Sequence, residues 1–91
     1  MGEGFRWNEW NVWHIARHGV EPEEAEHVVL RARRPYPSYE GDGKWLVRGQ
    51  DDKGRYVQVV YLIDENGETF YVIHARPLTE PEKRNLRRRR R

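Results

Sequence analysis

The 91 residues carry 17 basic and 15 acidic side chains and no cysteine, and their mean hydropathy is −1.09. No apolar run approaches the ~18 residues of a membrane span, and the first ten residues lack the apolar core of a signal peptide. We therefore expect a cytoplasmic protein without disulfides or cysteine-ligated metals. The eleven aromatic residues argue against disorder, and the length fits one small domain.

The positive charge is concentrated at the C-terminal end. Residues 82–91 include seven basic residues and one acidic residue, whereas residues 1–81 include ten basic and fourteen acidic residues. We expect residues 1–86 to form a single domain and residues 87–91, five consecutive arginines, to be a disordered basic tail. Such a tail either attracts the phosphates of a nucleic acid or serves as a solvated end.

The N-terminal third predicts an extended start followed by two helices. Residues 4–7 are expected to be extended, and Asn8 is a good N-cap for a first helix that ends near Gly19. Pro22 falls in the first turn of a second helix. The spacing i, i+3, i+4 predicts one buried stripe in each helix: Val12, Ile15 and Ala16 in the first, and Ala25, Val28 and Val29 in the second.

The remainder predicts three strands and a closing helix. Residues 31–43 are rich in Pro, Gly and Tyr and indicate an irregular connection or a distorted edge strand. Turn sequences at 51–54 and 64–67 join the strands, which are Lys44–Arg48, Arg55–Ile63 and Thr69–Arg76. Thr79 and Glu82 form a capping box for the last helix. The predicted fold class is α+β: a small antiparallel sheet with two N-terminal helices packed on one face and a C-terminal helix.

Three motifs resemble the BrnT-type toxin family. His14–Ala25 resembles its K/R-H-G-V-x-x-E-E-A stretch, Val72–Arg76 resembles its I-S-A-R signature, and Thr79, Glu82 and Arg84 fall where the family has A-T-x-x-E-R. The resemblance covers almost the whole chain, with the elements in the same order. It implies a RelE-like fold and a bacterial type II toxin, a ribonuclease that stops translation. The implied partners are an RNA substrate and a cognate antitoxin, with operator DNA bound only through the antitoxin complex.

The chain departs from the family pattern at three positions. His74 stands where a serine is common, Pro77 follows the signature arginine, and Leu86 occupies the place of a frequent tyrosine. These departures and the net-acidic body favour an alternative, a non-enzymatic RelE-like module that binds RNA or a partner. A further alternative is a subunit that folds only within another complex, held there by its tryptophans.

RNA cleavage without a metal or other cofactor needs a base, an acid and a cation at the phosphate. Histidine and arginine supply these groups, and alternation along the last strand places His74 and Arg76 on the same side. The candidate catalytic residues are Arg76, His74, His18, Arg17 and Arg48. Structural roles stay open for all five: an ion pair of Arg76 with Glu82, a hydrogen-bonded His74, and a His18 that faces the carbonyl end of its helix. Arg17 and Arg48 could be solvated surface arginines.

Other side chains are candidates for binding. We expect Arg84, Arg87 and Arg88 to contact RNA, and Trp10 and Trp13 to form the partner interface. The two tryptophans could instead stack on nucleobases. His14 and His18 have the i, i+4 spacing of zinc ligands, but no Glu follows His14 and no third ligand is evident, so no metal site is predicted.

Overall fold

A computed structural model describes residues 4–89 of the chain, which fold into a five-stranded mixed sheet and three helices. The helices are α1 (Glu9–Ala16), α2 (Pro22–Leu30) and α3 (Glu80–Arg89). The strands are β1 (Phe5–Arg6), β2 (Ser38–Tyr39), β3 (Lys44–Gln50), β4 (Tyr56–Ile63) and β5 (Phe70–Pro77). None of the helices in this described range has the length and apolar character needed to cross a membrane.

The sheet has the order β1-β5-β4-β3-β2. The predicted antiparallel meander of β3, β4 and β5 is confirmed. The expectation of a purely antiparallel sheet is wrong, because β1 pairs in parallel with β5 and Phe70 N donates to Gly4 O at 2.7 Å. A strand of two residues has no periodicity to reveal its pairing. Within residues 31–43, β2 pairs with β3 as a short edge strand.

Helix α1 packs against β5 with a face that differs from the predicted stripe. Ile15 is buried, but Val12 is 36% exposed and Ala16 is also exposed, so that stripe is wrong at two of its three positions. The second buried position is Asn11. Its Nδ2 donates to Arg6 O at 3.1 Å and its Oδ1 accepts from Asn8 N at 2.8 Å. These bonds satisfy the buried amide and fix the rotation of α1, which hydrophobic spacing alone does not indicate.

Helix α2 packs against β3 and β4 with the stripe that its sequence predicts. Ala25, Val28 and Val29 are all buried. They belong to the core that also contains Ile15, Val20, Val47, Val57, Val59, Tyr61, Val72 and Ala75. This core joins α1 and α2 to strands β3, β4 and β5, and α1 lies beside β5.

Arg55 fastens the turn that ends α1. Its Nη2 donates to Gly19 O at 2.8 Å and to Glu24 Oε2 at 3.0 Å. Gly19 has φ +74, a conformation that favours glycine at the end of a helix. Asp51, which is buried, accepts from Arg55 N at 2.8 Å. The backbone directly after His18 is therefore tied to the turn between β3 and β4.

Helix α3 begins with the predicted capping box. Thr79 N donates to Glu82 Oε1 at 2.8 Å, and Glu82 N donates to Thr79 Oγ1 at 3.4 Å. Leu86 is only 2% exposed and anchors the helix. The helix continues through Arg89, so residues 87–89 are helical where a disordered tail was expected; Arg90 and Arg91 lie outside the described residues.

Candidate active site

Strand β5 brings His74 and Arg76 to one face of the sheet. His74 lies opposite Val60 and Arg76 lies opposite Gln58 on β4, two steps apart in the same register. The register shifts between Val60 and Tyr61, so the irregularity in β5 comes before His74 and leaves the alternation from His74 to Arg76 intact. The predicted common face of these two residues is confirmed.

Helix α1 adds two more imidazoles to His74. The ring centres of His18 and His74 lie 5.5 Å apart, those of His14 and His74 lie 6.4 Å apart, and those of His14 and His18 lie 6.5 Å apart. We call these three residues the histidine cluster. The sequence predicts His18 and His74 as site residues but assigns His14 no catalytic role. Only the packing of α1 against β5 shows that the i, i+4 pair meets a third histidine.

The electrostatic surroundings of the cluster favour a neutral His74. Burial lowers its pKa below 6.5, and the nearby His18, Arg76 and His14 lower it further. A neutral imidazole is ready to accept a proton at pH 7. No group of three or more His, Asp or Glu side chains in residues 4–89 is arranged to hold a metal ion.

Arg76 is held by the capping carboxylate of α3. Its Nη1 donates to Glu82 Oε1 at 2.8 Å and its Nη2 donates to Glu82 Oε2 at 2.9 Å. Arg48 Nη2 donates to the same Oε2 at 3.2 Å. The bonds from Arg76 and from Thr79 N lower the pKa of Glu82 to about 2. The predicted ion pair is therefore present, and Glu82 serves both as helix cap and as counter-ion for two candidate catalytic arginines.

Arg17 differs from the other two candidate arginines, which share Glu82, because its contact is with Trp13. Its guanidinium lies 5.1 Å from the ring centre of Trp13, on an exposed part of α1. Trp10 and Trp13 line one open groove together with Asn8 and Glu9. They differ in their neighbours, since Trp10 stacks on His14 at 4.7 Å and 8°. Trp10 thus borders the histidine cluster, and Trp13 belongs with Arg17.

The three predicted RNA-binding arginines lie on the surface of α3. Arg84, Arg87 and Arg88 line a shallow pocket with Pro81 and Asn85. Arg87 lies over the Tyr56 ring at 5.7 Å, and Arg88 Nη2 donates to Asn85 Oδ1 at 2.6 Å. The helix therefore presents these cations as one exposed basic surface.

No family model matches the chain, and no curated protein or solved structure matches it either. The chemistry of the histidine cluster and its arginine is therefore the basis on which a function can be proposed.

Proposed function

We propose that this protein is an endoribonuclease toxin of a bacterial type II toxin–antitoxin system, with a RelE-like fold and a cytoplasmic site of action. The observation that carries the proposal is the convergence of His14, His18 and His74 beside Arg76. Two proton-transferring groups and a cation are the set that RNA cleavage by its own 2′-hydroxyl requires. The resemblance of three sequence motifs to BrnT-type toxins supports the same assignment.

In the proposed reaction His74 is the general base, because its lowered pKa leaves it neutral at pH 7. It takes the proton of the 2′-hydroxyl while the 2′-oxygen forms a bond to phosphorus. The bond from phosphorus to the 5′-oxygen breaks, and His14 or His18, protonated, gives its proton to that oxygen. Arg76 stabilises the negative charge on the phosphoryl oxygens. The products carry a 2′,3′-cyclic phosphate and a 5′-hydroxyl.

The proposed protein partner is a cognate antitoxin that covers the outer side of α1. This side exposes Trp10, Val12 and Trp13, with exposed fractions of 52%, 36% and 62%. Large apolar side chains of this kind concentrate at protein interfaces. Operator DNA would be bound only by the complex with the antitoxin.

Cleavage of a long natural RNA in EDTA tests the nuclease. We expect the parent protein to cleave and His74→Gln to be about 10²- to 10⁴-fold slower, the usual contribution of a general base. His27→Gln is the matched control, since His27 is a half-buried histidine of α2 outside the cluster. Intact RNA with folded parent protein, or equal rates for the two variants, would contradict the assignment.

The second candidate is a non-enzymatic RNA-binding module, and the contacts of Glu82 favour it. Its carboxylate neutralises part of the charge of Arg76 and Arg48, so the basic side of α3 becomes the stronger attraction for phosphates. Deleting residues 87–91 separates the two candidates. A module bound through α3 loses nearly all RNA affinity and most of its salt dependence, whereas the nuclease keeps cleaving at low salt.

A further inference from the structure

The stacking of Trp10 on His14 extends the histidine cluster into a row of aromatic rings. The ring centres of Trp10 and His14 lie 4.7 Å apart with planes at 8°, and those of Trp10 and Tyr71 lie 6.4 Å apart with planes at 20°. We call Tyr71, Trp10 and His14 the aromatic row. One end of the row is therefore part of the proposed catalytic site.

The row is held in place by polar contacts at its other end. Arg6 lies 4.0 Å from the ring centre of Tyr71 and donates to both carboxylate oxygens of Asp64 at 2.8 and 2.9 Å. The hydroxyl of Tyr71 donates to Asn8 Oδ1 at 3.3 Å. These bonds fix Tyr71 against the start of α1, next to Trp10.

Trp10 is fixed by its neighbours and still half open to solvent. Its side chain is 52% exposed although the rings of His14 and Tyr71 both lie close to it. A ring that is ordered before binding loses little conformational entropy when a ligand contacts it. Single-stranded RNA is commonly bound by aromatic contact with its unstacked bases.

We propose that Trp10 forms a nucleobase subsite of the ribonuclease, for a base next to the phosphodiester held at the histidine cluster. This inference rests on the proposed function, which places the phosphate there. A base is joined through its ribose to the adjacent phosphate, so a base against Trp10 directs that phosphate towards His14 and His74. Trp13 has no such role, since its ring contact is with Arg17.

The matched pair Trp10→Ala and Trp13→Ala tests the subsite, because both tryptophans are exposed residues of α1 and border the same groove. The probe is a short single-stranded 2′-O-methyl oligonucleotide, which cannot be cleaved by 2′-hydroxyl attack. We expect Trp10→Ala to weaken its binding by roughly 5- to 150-fold, the range of one base stack. Trp10→Phe should recover most of that loss, and Trp13→Ala should change affinity less than about 2-fold.

An abasic residue moved through the oligonucleotide shows whether Trp10 acts through a base. At one position, the abasic residue should weaken binding to the parent protein as strongly as the Trp10→Ala substitution does. At that position the Trp10→Ala variant should bind the abasic and the intact oligonucleotide with the same affinity. The subsite would be overturned if the fold-losses of affinity from Trp10→Ala and from the abasic residue multiplied at every position. Trp10 would then act only by holding His14. Equal losses for Trp10→Ala and Trp13→Ala would overturn it as well, because the whole groove, and not Trp10 alone, would then contact the oligonucleotide.

The subsite and the nuclease can fail separately. The RNA could stay intact in the cleavage assay while Trp10→Ala and one abasic position cause the same, non-additive loss of affinity. This result would refute the nuclease and support a nucleobase subsite at Trp10. Normal cleavage together with multiplying losses would refute the subsite alone. Circular dichroism of each variant confirms that the protein being compared is folded, and Trp10→Phe, which keeps a ring in place, supplies the comparison if Trp10→Ala unfolds.

Discussion

Replacing Glu82 with Gln removes a negative charge that β3, β5 and the start of α3 all contact. The carboxylate accepts two hydrogen bonds from Arg76 at 2.8 and 2.9 Å, one from Arg48 at 3.2 Å and one from Thr79 N at 2.8 Å. An amide oxygen can keep part of this set, but its NH₂ group faces donors and the ion pairs are lost. The substitution therefore leaves two guanidinium groups without their shared counter-ion.

The expected loss in the free energy of unfolding follows from the pKa of Glu82, which is about 2 against an ordinary 4.5. This difference corresponds to ~3 kcal/mol when fully expressed. Water screens part of it because the side chain is 20% exposed, so we expect a loss of about 2 kcal/mol at pH 7. Because the folded-state pKa is depressed, the stabilisation is present above pH 4.5 and disappears as the pH falls towards 2.

Urea unfolding of the parent and Glu82→Gln at several pH values measures this loss. The two unfolding free energies should differ at pH 7 and draw together as the pH falls to about 2 and below, where the carboxyl of Glu82 becomes protonated and, like the amide, loses its charge. Glu80→Gln is the control on the same helix turn, since Glu80 is 71% exposed and pairs only with Lys83 among the ion pairs of the described residues; its effect on the free energy of unfolding should be much smaller than that of Glu82→Gln. A variant as stable as the parent at pH 7, or a difference at pH 2 as large as the one at pH 7, would refute the reasoning.

Three further predictions concern the buried amide of Asn11, the imidazole of His74 and the RNA affinity of Glu82→Gln. Asn11→Ala should cost about 1–3 kcal/mol in urea unfolding because Arg6 O and Asn8 N lose their hydrogen bonds to a buried amide. Val12→Ala, at an exposed position, should cost less than ~1 kcal/mol, and equal costs would contradict the observed rotation of α1. His74 has a depressed pKa, so the parent should lose stability as the pH falls below 6.5, and His74→Gln should flatten this part of the curve; an unchanged slope would place the protonation elsewhere. Glu82→Gln should raise RNA affinity at low salt and steepen its salt dependence by freeing Arg76, and an unchanged slope would show that Arg76 does not face the RNA.

Local chemistry made parts of this fold predictable from the sequence. The capping box of Thr79 and Glu82, the buried stripe of α2 and the strands of the meander each depend on residues close together in the chain. The ion pair of Arg76 with Glu82 was also open to prediction, since only six positions separate them.

The features that could not be predicted depend on contacts between residues that are far apart in the sequence. The rotation of α1 is set by Asn11 bonding to the end of β1, and a buried polar residue carries no signal in hydrophobic spacing. His14 joins the cluster only because α1 packs beside β5, so its proximity to His74, sixty positions further along, could not be deduced. The distinction between Trp10 and Trp13 arises in the same way, from contacts with His14 and Arg17.

The most direct measurement concerns the 2′-hydroxyl that the proposed reaction uses as nucleophile. The parent protein is incubated in EDTA with an RNA that contains one preferred cleavage site. A second reaction contains the same RNA with a 2′-deoxy ribose at the nucleotide whose 3′-oxygen is attached to the phosphate of that site. We predict cleavage of the first RNA to 2′,3′-cyclic phosphate and 5′-hydroxyl ends, and no cleavage at that bond in the second. Cleavage at the 2′-deoxy position, or intact RNA in both reactions with folded protein, would contradict the account.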